Sequence, residues 1–333
     1  MSASVTLGPH RLPSLLMAAA IVLILLMSAC ASKNPQAPEL SASYKALLER
    51  QKAGMSLDEN TMKNPPQMSV EEYERLGDTY IRQGNMTMAF AQYDRSLRMD
   101  PQLVRVRYKV GHLFLERGFT QDADKEFAEI LKHDKTYALA HEGLGQSAFQ
   151  TGDLRSAESH FREALALNPA LWRSHNWLGI IYDRQQRYRD AITEYSAGLV
   201  VKPGDALLAN NLGMSYYLNG EYDKAMLAFQ DALQSGSTEL KIYNNLGLSL
   251  AKLGRYQEAY DAFRKGANAP KAYNNLGVVL LEAGQSQKAA VCFRKAIETN
   301  ASYYEKANEN LRAIEHTGAK GMWGKSQSDV ACP

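Results

Sequence analysis

Residues 206–234 read ALLANNLGMSYYLNGEYDKAMLAFQDALQ. Apolar residues recur on a helical period on both sides of Gly220, so the stretch reads as two helices joined by a turn. Gly213 sits inside the first helix, although glycine costs about 1 kcal/mol against alanine there. The same glycine returns at 34-residue intervals as Gly77, Gly111, Gly145, Gly179, Gly213 and Gly247, and once more as Gly277 after 30. Twelve residues beyond each stands Ala89, Ala123, Ala157, Ala191, Ala225, Ala259 or Ala289. Four further on comes an aromatic: Tyr93, Phe127, Phe161, Tyr195, Phe229, Phe263 and Phe293. A glycine kept inside a helix points to close helix approach, with the alanine opposite it and the aromatic beside the crossing. Gly84, Gly118, Gly152, Gly220, Gly254 and Gly284 mark the turns; Gln186 replaces glycine in the fourth unit, which predicts a less tight turn there.

These columns resemble the tetratricopeptide repeat, with its W-x2-L-G-x2-Y, A-x3-F and P positions. Pro101, Pro169 and Pro203 fall where the second helix ends. The resemblance implies an all-α, right-handed superhelical solenoid of seven helix-turn-helix repeats over 70–303, with a concave face for protein binding. Repeat six, 240–269, is four residues short, and Pro270 opens repeat seven. Residues 304–317, with Tyr304, Ala307, Leu311 and Ile314 on one face, read as a capping helix, and 318–333 as a disordered tail.

The chain begins with a targeting pattern. Arg11 precedes an unbroken apolar run, Leu15 to Met27, too short to span a bilayer at about 20 residues. Met27-Ser28-Ala29-Cys30 resembles a bacterial lipobox, with methionine where leucine is usual. The resemblance implies a signal peptide over 1–29 and lipidation at Cys30, by a thioether-linked diacylglyceryl group and an amide-linked acyl chain such as palmitate. Several acyl chains make such an anchor stable. Ala31, in place of aspartate, implies the periplasmic face of the outer membrane. Residues 30–69, with Pro35, Pro38, Pro65 and Pro66, form a polar tether.

A net charge of +2 with 22% charged residues argues against nucleic-acid binding. None of the seven histidines forms HExxH, no P-loop is present, and the cysteine spacing gives no zinc pattern. His141 and His175 occupy the repeat's tryptophan column and read as packing residues. The expectation is a non-enzymatic protein with no cofactor, no metal and no small-molecule substrate. Cys292 reads as a small buried residue; a disulfide with Cys332 in the tail is the other reading.

Function is expected in the groove. Asn-Asn precedes Leu-Gly at Asn210-Asn211, Asn244-Asn245 and Asn274-Asn275, and Asn176 occupies the first of these columns in repeat four. A carboxamide donates and accepts, so a column of them can pair with a peptide main chain. The family resemblance assigns Asn211, Asn245 and Asn275 to the peptide-contacting column. The alternative is that these asparagines serve neighbouring helices. Ile180, Met214, Leu248 and Val278 form an apolar stripe one turn on, and Arg173, Lys241 and Lys271 put positive charge at the edge. The ninth repeat position carries Asp78, His112, Gln146 and that apolar stripe, so the Lys/Asn clamp for a free carboxylate is absent. Lipobox, tether and repeats together resemble the TadD-type lipoproteins of tight-adherence (Flp) pilus systems and, more distantly, type IV pilus pilotins. This implies a scaffold that binds an outer-membrane secretin or other pilus component. The alternative is an NlpI-type adaptor for peptidoglycan enzymes, or a general scaffold for envelope complexes.

Overall fold

The computed structural model describes residues 68–299, 305–316 and 332. The expected signal peptide, nearly all of the tether and most of the polar tail lie outside the described residues. The helices come in pairs: α1 (Val70–Arg82) with α2 (Met86–Met99), α3 (Val104–Glu116) with α4 (Thr120–His133), and α5 (Ala138–Thr151) with α6 (Leu154–Leu167). Then follow α7 (Trp172–Arg184) with α8 (Tyr188–Val201), α9 (Ala206–Leu218) with α10 (Tyr222–Gln234), and α11 (Leu240–Lys252) with α12 (Tyr256–Gly266). The last pair is α13 (Ala269–Glu282) with α14 (Ser286–Glu298), followed by α15 (Glu305–His316). Among the described residues there is no strand, and no helix is long and apolar enough to cross a membrane.

Packing divides the described residues into two units, one up to Val106 and one from Arg107 onward. In the first, α1 opens on a capping box: Glu72 N–H donates to Ser69 Oγ (3.2 Å) and Ser69 N–H to Glu72 Oε2 (2.8 Å). α1 and α2 pack as an antiparallel pair. The Tyr93 ring lies on Gly77, and its hydroxyl donates to Asp78 Oδ1 at 2.6 Å. In the second unit each helix from α4 to α15 packs on the next, and the first helices of successive repeats from α7 onward also approach one another. Such a stack buries an apolar face that one helix pair could not cover alone.

The motif glycines are explained by the aromatics. A Cβ on Gly213 would lie 2.7 Å from the Phe229 ring; on Gly179, 2.5 Å from Tyr195; on Gly247, 2.6 Å from Phe263. The nearest atoms are the ring's in every motif repeat, so the ring, rather than the expected alanine, occupies the space the glycine leaves. The alanines are fully buried in the same core.

The turn of repeat four is not loosened. Gln186 takes φ 60°, the left-handed conformation that glycine takes in the other repeats. Its N–H donates to Asp183 O (3.0 Å) and that of Arg187 to Tyr182 O (2.8 Å); Gly220 and Glu221 repeat this pattern at 3.1 and 2.9 Å. The turn's hydrogen bonds hold a residue there that disfavours this conformation by about 1–2 kcal/mol.

Repeat six differs more. α12 has 11 residues, where the other second helices have 13 or 14. Only Ala267 and Asn268 link it to α13, whose first turn holds Pro270 and is capped by Asn268 Oδ1 accepting from Lys271 N–H (3.1 Å). A Cβ on Gly266 would meet Leu240 O at 2.8 Å and Asn244 Oδ1 at 2.9 Å. Here glycine lets the end of one helix lie directly against the start of another.

At the C-terminal end, Ala307 and Ile314 of α15 are buried. Cys332, expected in a disordered tail, is 3% exposed and forms a disulfide with Cys292 of α14. Lys295 Nζ also donates to the Cys332 carbonyl. At this residue the tail is part of the fold.

Candidate inner-face site

The two asparagine columns lie three and two residues before each motif glycine. The first column is largely buried: Asn176 and Asn210 are 7% exposed and Asn274 6%. Each of these accepts from the helix two places further along the chain. Asn211 Nδ2 donates to Asn176 Oδ1 (2.9 Å), Asn245 Nδ2 to Asn210 Oδ1 (3.0 Å), and Asn310 Nδ2 of α15 to Asn274 Oδ1 (3.1 Å). The same repeat position holds a buried carboxylate in repeats three and one, Glu142 and Glu74, and Tyr108 in repeat two. Ser174 Oγ donates to the buried Glu142 Oε2 (2.7 Å), and in the first unit Arg105 Nε donates to Glu74 Oε2 (2.6 Å). Buried polar groups need partners, and these are found one repeat away.

The expected set is therefore divided. The amide donors of Asn211 and Asn245, placed by resemblance in the peptide-contacting column, are engaged between repeats. Asn275 and Asn244 are not. Repeat six is short, so Asn275 stands 31 residues after Asn244 instead of 35. No described residue donates to Asn244 Oδ1, which is buried, and Asn275 makes no side-chain hydrogen bond with any described residue. Ile180, Met214, Leu248 and Val278 are half-buried against the core clusters of their own repeats. Arg173 lies 4.7 Å over the Trp172 ring, and Lys241 pairs with Glu239 (2.7 Å). Lys271 is exposed and forms no ion pair with a described residue.

Other polar residues serve packing. Asp183 accepts from Tyr195 Oη (3.0 Å) and Ser215 Oγ (2.8 Å), tying three successive helices together; burial raises its pKa. His175 Nδ1 lies 2.7 Å from Glu194 Oε2, and His141 Nδ1 3.4 Å from His160 Nδ1. His112 is enclosed by Tyr108 and Phe127 with Nε2 unpartnered, and burial lowers its pKa to about 4. Among the described residues no three His, Cys, Asp or Glu side chains gather to hold a metal ion.

Two features went unread in the sequence. Asn310 extends the asparagine column into α15; its signal was an asparagine 36 residues after Asn274, close to the 35-residue separation of Asn176 from Asn211 and of Asn210 from Asn245. Trp177 occupies the Asn211 column in repeat four, stacked on Phe161 and beside Phe149. Both apolar neighbours come from the preceding repeat.

Comparison with known proteins agrees with this architecture. A family model described as the Cilia and flagella-associated protein 70 C-terminal domain matches residues 28–270, and the Tetratricopeptide repeat model matches 270–303. No curated protein matches the chain. Among solved structures, MamA is 28% identical with a TM-score of 0.42, covering 48% of this chain and 94% of its own. A tetratricopeptide repeat protein from Parabacteroides merdae is 18% identical, with a TM-score of 0.48 and coverages of 74% and 98%. The APC/C hetero-tetramer Cut9-Hcn1 gives a TM-score of 0.53 at 18% identity, covering 82% of this chain and 53% of that one, a likeness of fold. With its paired helices, glycine–aromatic crossings and inter-repeat polar column, the chain is a tetratricopeptide repeat protein and belongs to the family described as the Cilia and flagella-associated protein 70 C-terminal domain.

Proposed function

We propose that this protein is a lipid-anchored scaffold of the bacterial outer membrane whose inner helical face, along repeats four to seven, holds a segment of another envelope protein. The favoured partner is an outer-membrane secretin or another component of a Flp (Tad) pilus. The observation that carries the reading is the order of parts: a lipobox-like Met27-Ser28-Ala29-Cys30, a polar proline-containing stretch, then a repeat array with carboxamides and apolar side chains along one edge. The Cys292–Cys332 disulfide supports an oxidising compartment such as the periplasm.

Two measurements test it together. Cys30→Ala should abolish fatty-acid labelling and release the protein from the membrane fraction; unchanged labelling refutes the anchor. A secretin should co-purify with the wild-type protein from cells whose neighbouring genes encode a pilus ATPase and secretin. Co-purification of a peptidoglycan hydrolase instead would replace this partner with the adaptor reading.

A further inference from the structure

The asparagine column is complete everywhere from repeat four to α15 except at one step. Asn176, Asn210 and Asn274 each accept a carboxamide hydrogen bond from the helix two places further along; Asn244 accepts none from a described residue. The cause is covalent. Four missing residues are close to one helical turn, so α13 meets α11 with its asparagine out of step. What remains on α13 is Lys271, Asn275 and Val278, spaced to share one face of that helix. Lys271 is exposed without an ion pair to a described residue, Asn275 is half-buried with its carboxamide uncommitted, and Val278 is half-buried.

We propose that this step, between repeats six and seven, is where the inner face grips a partner's main chain. Asn275 donates to and accepts from one peptide group, Val278 and Leu248 receive a neighbouring apolar side chain, and Lys271 pairs with a carboxylate beside it. The occupant is an extended acidic–apolar segment of another protein, selected by the unpaired cation and by a carboxamide with both its functions free. Asn211 and Asn245 hold successive repeats in register and contribute little to the ligand. The inference rests on the inner-face reading of function but assigns the contact to a different residue than the column as a whole.

Short randomised peptides displayed on phage and selected against the whole chain provide the probe. The best binder is synthesised with a fluorophore and titrated by anisotropy. Asn275→Ala should weaken binding about tenfold or more while leaving the thermal midpoint unchanged. Lys271→Glu should weaken acidic peptides and reduce the salt dependence of their binding. Asn211→Ala and Asn245→Ala should lower the thermal midpoint yet bind within about twofold of wild type below it. Equal losses across Asn211, Asn245 and Asn275, or none at Asn275, overturn this inference and leave the inner-face reading standing. Selection of binders that none of the inner-face substitutions affects, or of no binder at all, overturns both.

Discussion

Gly213→Ala is the smallest change that tests how a repeat is closed. In an open helix this substitution stabilises by about 1 kcal/mol. Here the new methyl would sit 2.7, 2.8 and 3.0 Å from three carbons of the Phe229 ring. Carbon contacts are comfortable at about 3.5–4.0 Å, so the ring must retreat by most of an ångström. Phe229 is fully buried, in a cluster with Ala209, Ala225, Ala232 and Ile242, and has little room to do so. Overpacking of this kind costs about 1–3 kcal/mol, which outweighs the propensity gain and leaves a net loss of about 1 kcal/mol. Denaturant unfolding reads the loss, and amide exchange locates it: α9 and α10 should loosen before distant repeats, because repeats couple only to neighbours. Phe229→Leu provides the control. If the ring is the obstacle, the double mutant is less destabilised than the two single changes added together. A Gly213→Ala protein more stable than wild type, or strict additivity with Phe229→Leu, refutes the glycine–aromatic account.

Two further outcomes follow from buried groups. His112 is held below its ordinary pKa, at about 4, first by burial and second by Arg173. Its neutral form is favoured by folding, so the stability it confers is complete above pH about 6.5 and is lost as pH falls towards 4, by up to about 3 kcal/mol. His112→Phe should remove that part of the pH dependence, measured as the wild-type minus mutant stability across the window; an unchanged slope refutes it. Glu142, raised by burial, works in the opposite sense, so the difference and not the raw curve is the test. Cys332→Ser opens a covalent loop of 40 residues' separation that encloses α15. Loop-closure entropy sets the loss at about 4 kcal/mol at most, and exchange should quicken in α15 while α7 to α10 are unaffected.

How far these features could be read in advance depends on whether their cause is local. Helix pairing was legible because Gly213 and Phe229 stand at a fixed separation within one repeat, and the clash they avoid is settled inside that repeat. The turn at Gln186 was misread for a related reason. Residue preference predicts a looser bend, but the bonds from Gln186 and Arg187 to the end of α7 impose the same left-handed turn on a residue that resists it. The role of the asparagines was legible only as a choice between ligand and neighbour. That choice is made between repeats, where it depends on register: a spacing of 35 residues delivers Asn245 to Asn210, and 31 does not deliver Asn275 to Asn244. Cys332 lay furthest from sequence reasoning, since nothing local in a polar tail shows which helix it returns to.

Register also explains why buried asparagines are used at all. A carboxamide in the first column is desolvated whether or not its donor arrives, and an unmet buried partner costs about 1–3 kcal/mol. Apolar contacts between stacked helices tolerate sliding; a column of such bonds penalises it at every step. The array is therefore held most strictly in register where Asn176, Asn210 and Asn274 are satisfied, and least strictly where Asn244 is not. Stiffness and ligand capacity compete for the same carboxamides. A repeat shortened by one turn withdraws Asn244 and Asn275 from the first role while Asn245 stays bound to Asn210, and that withdrawal is what leaves Asn275 free for the second.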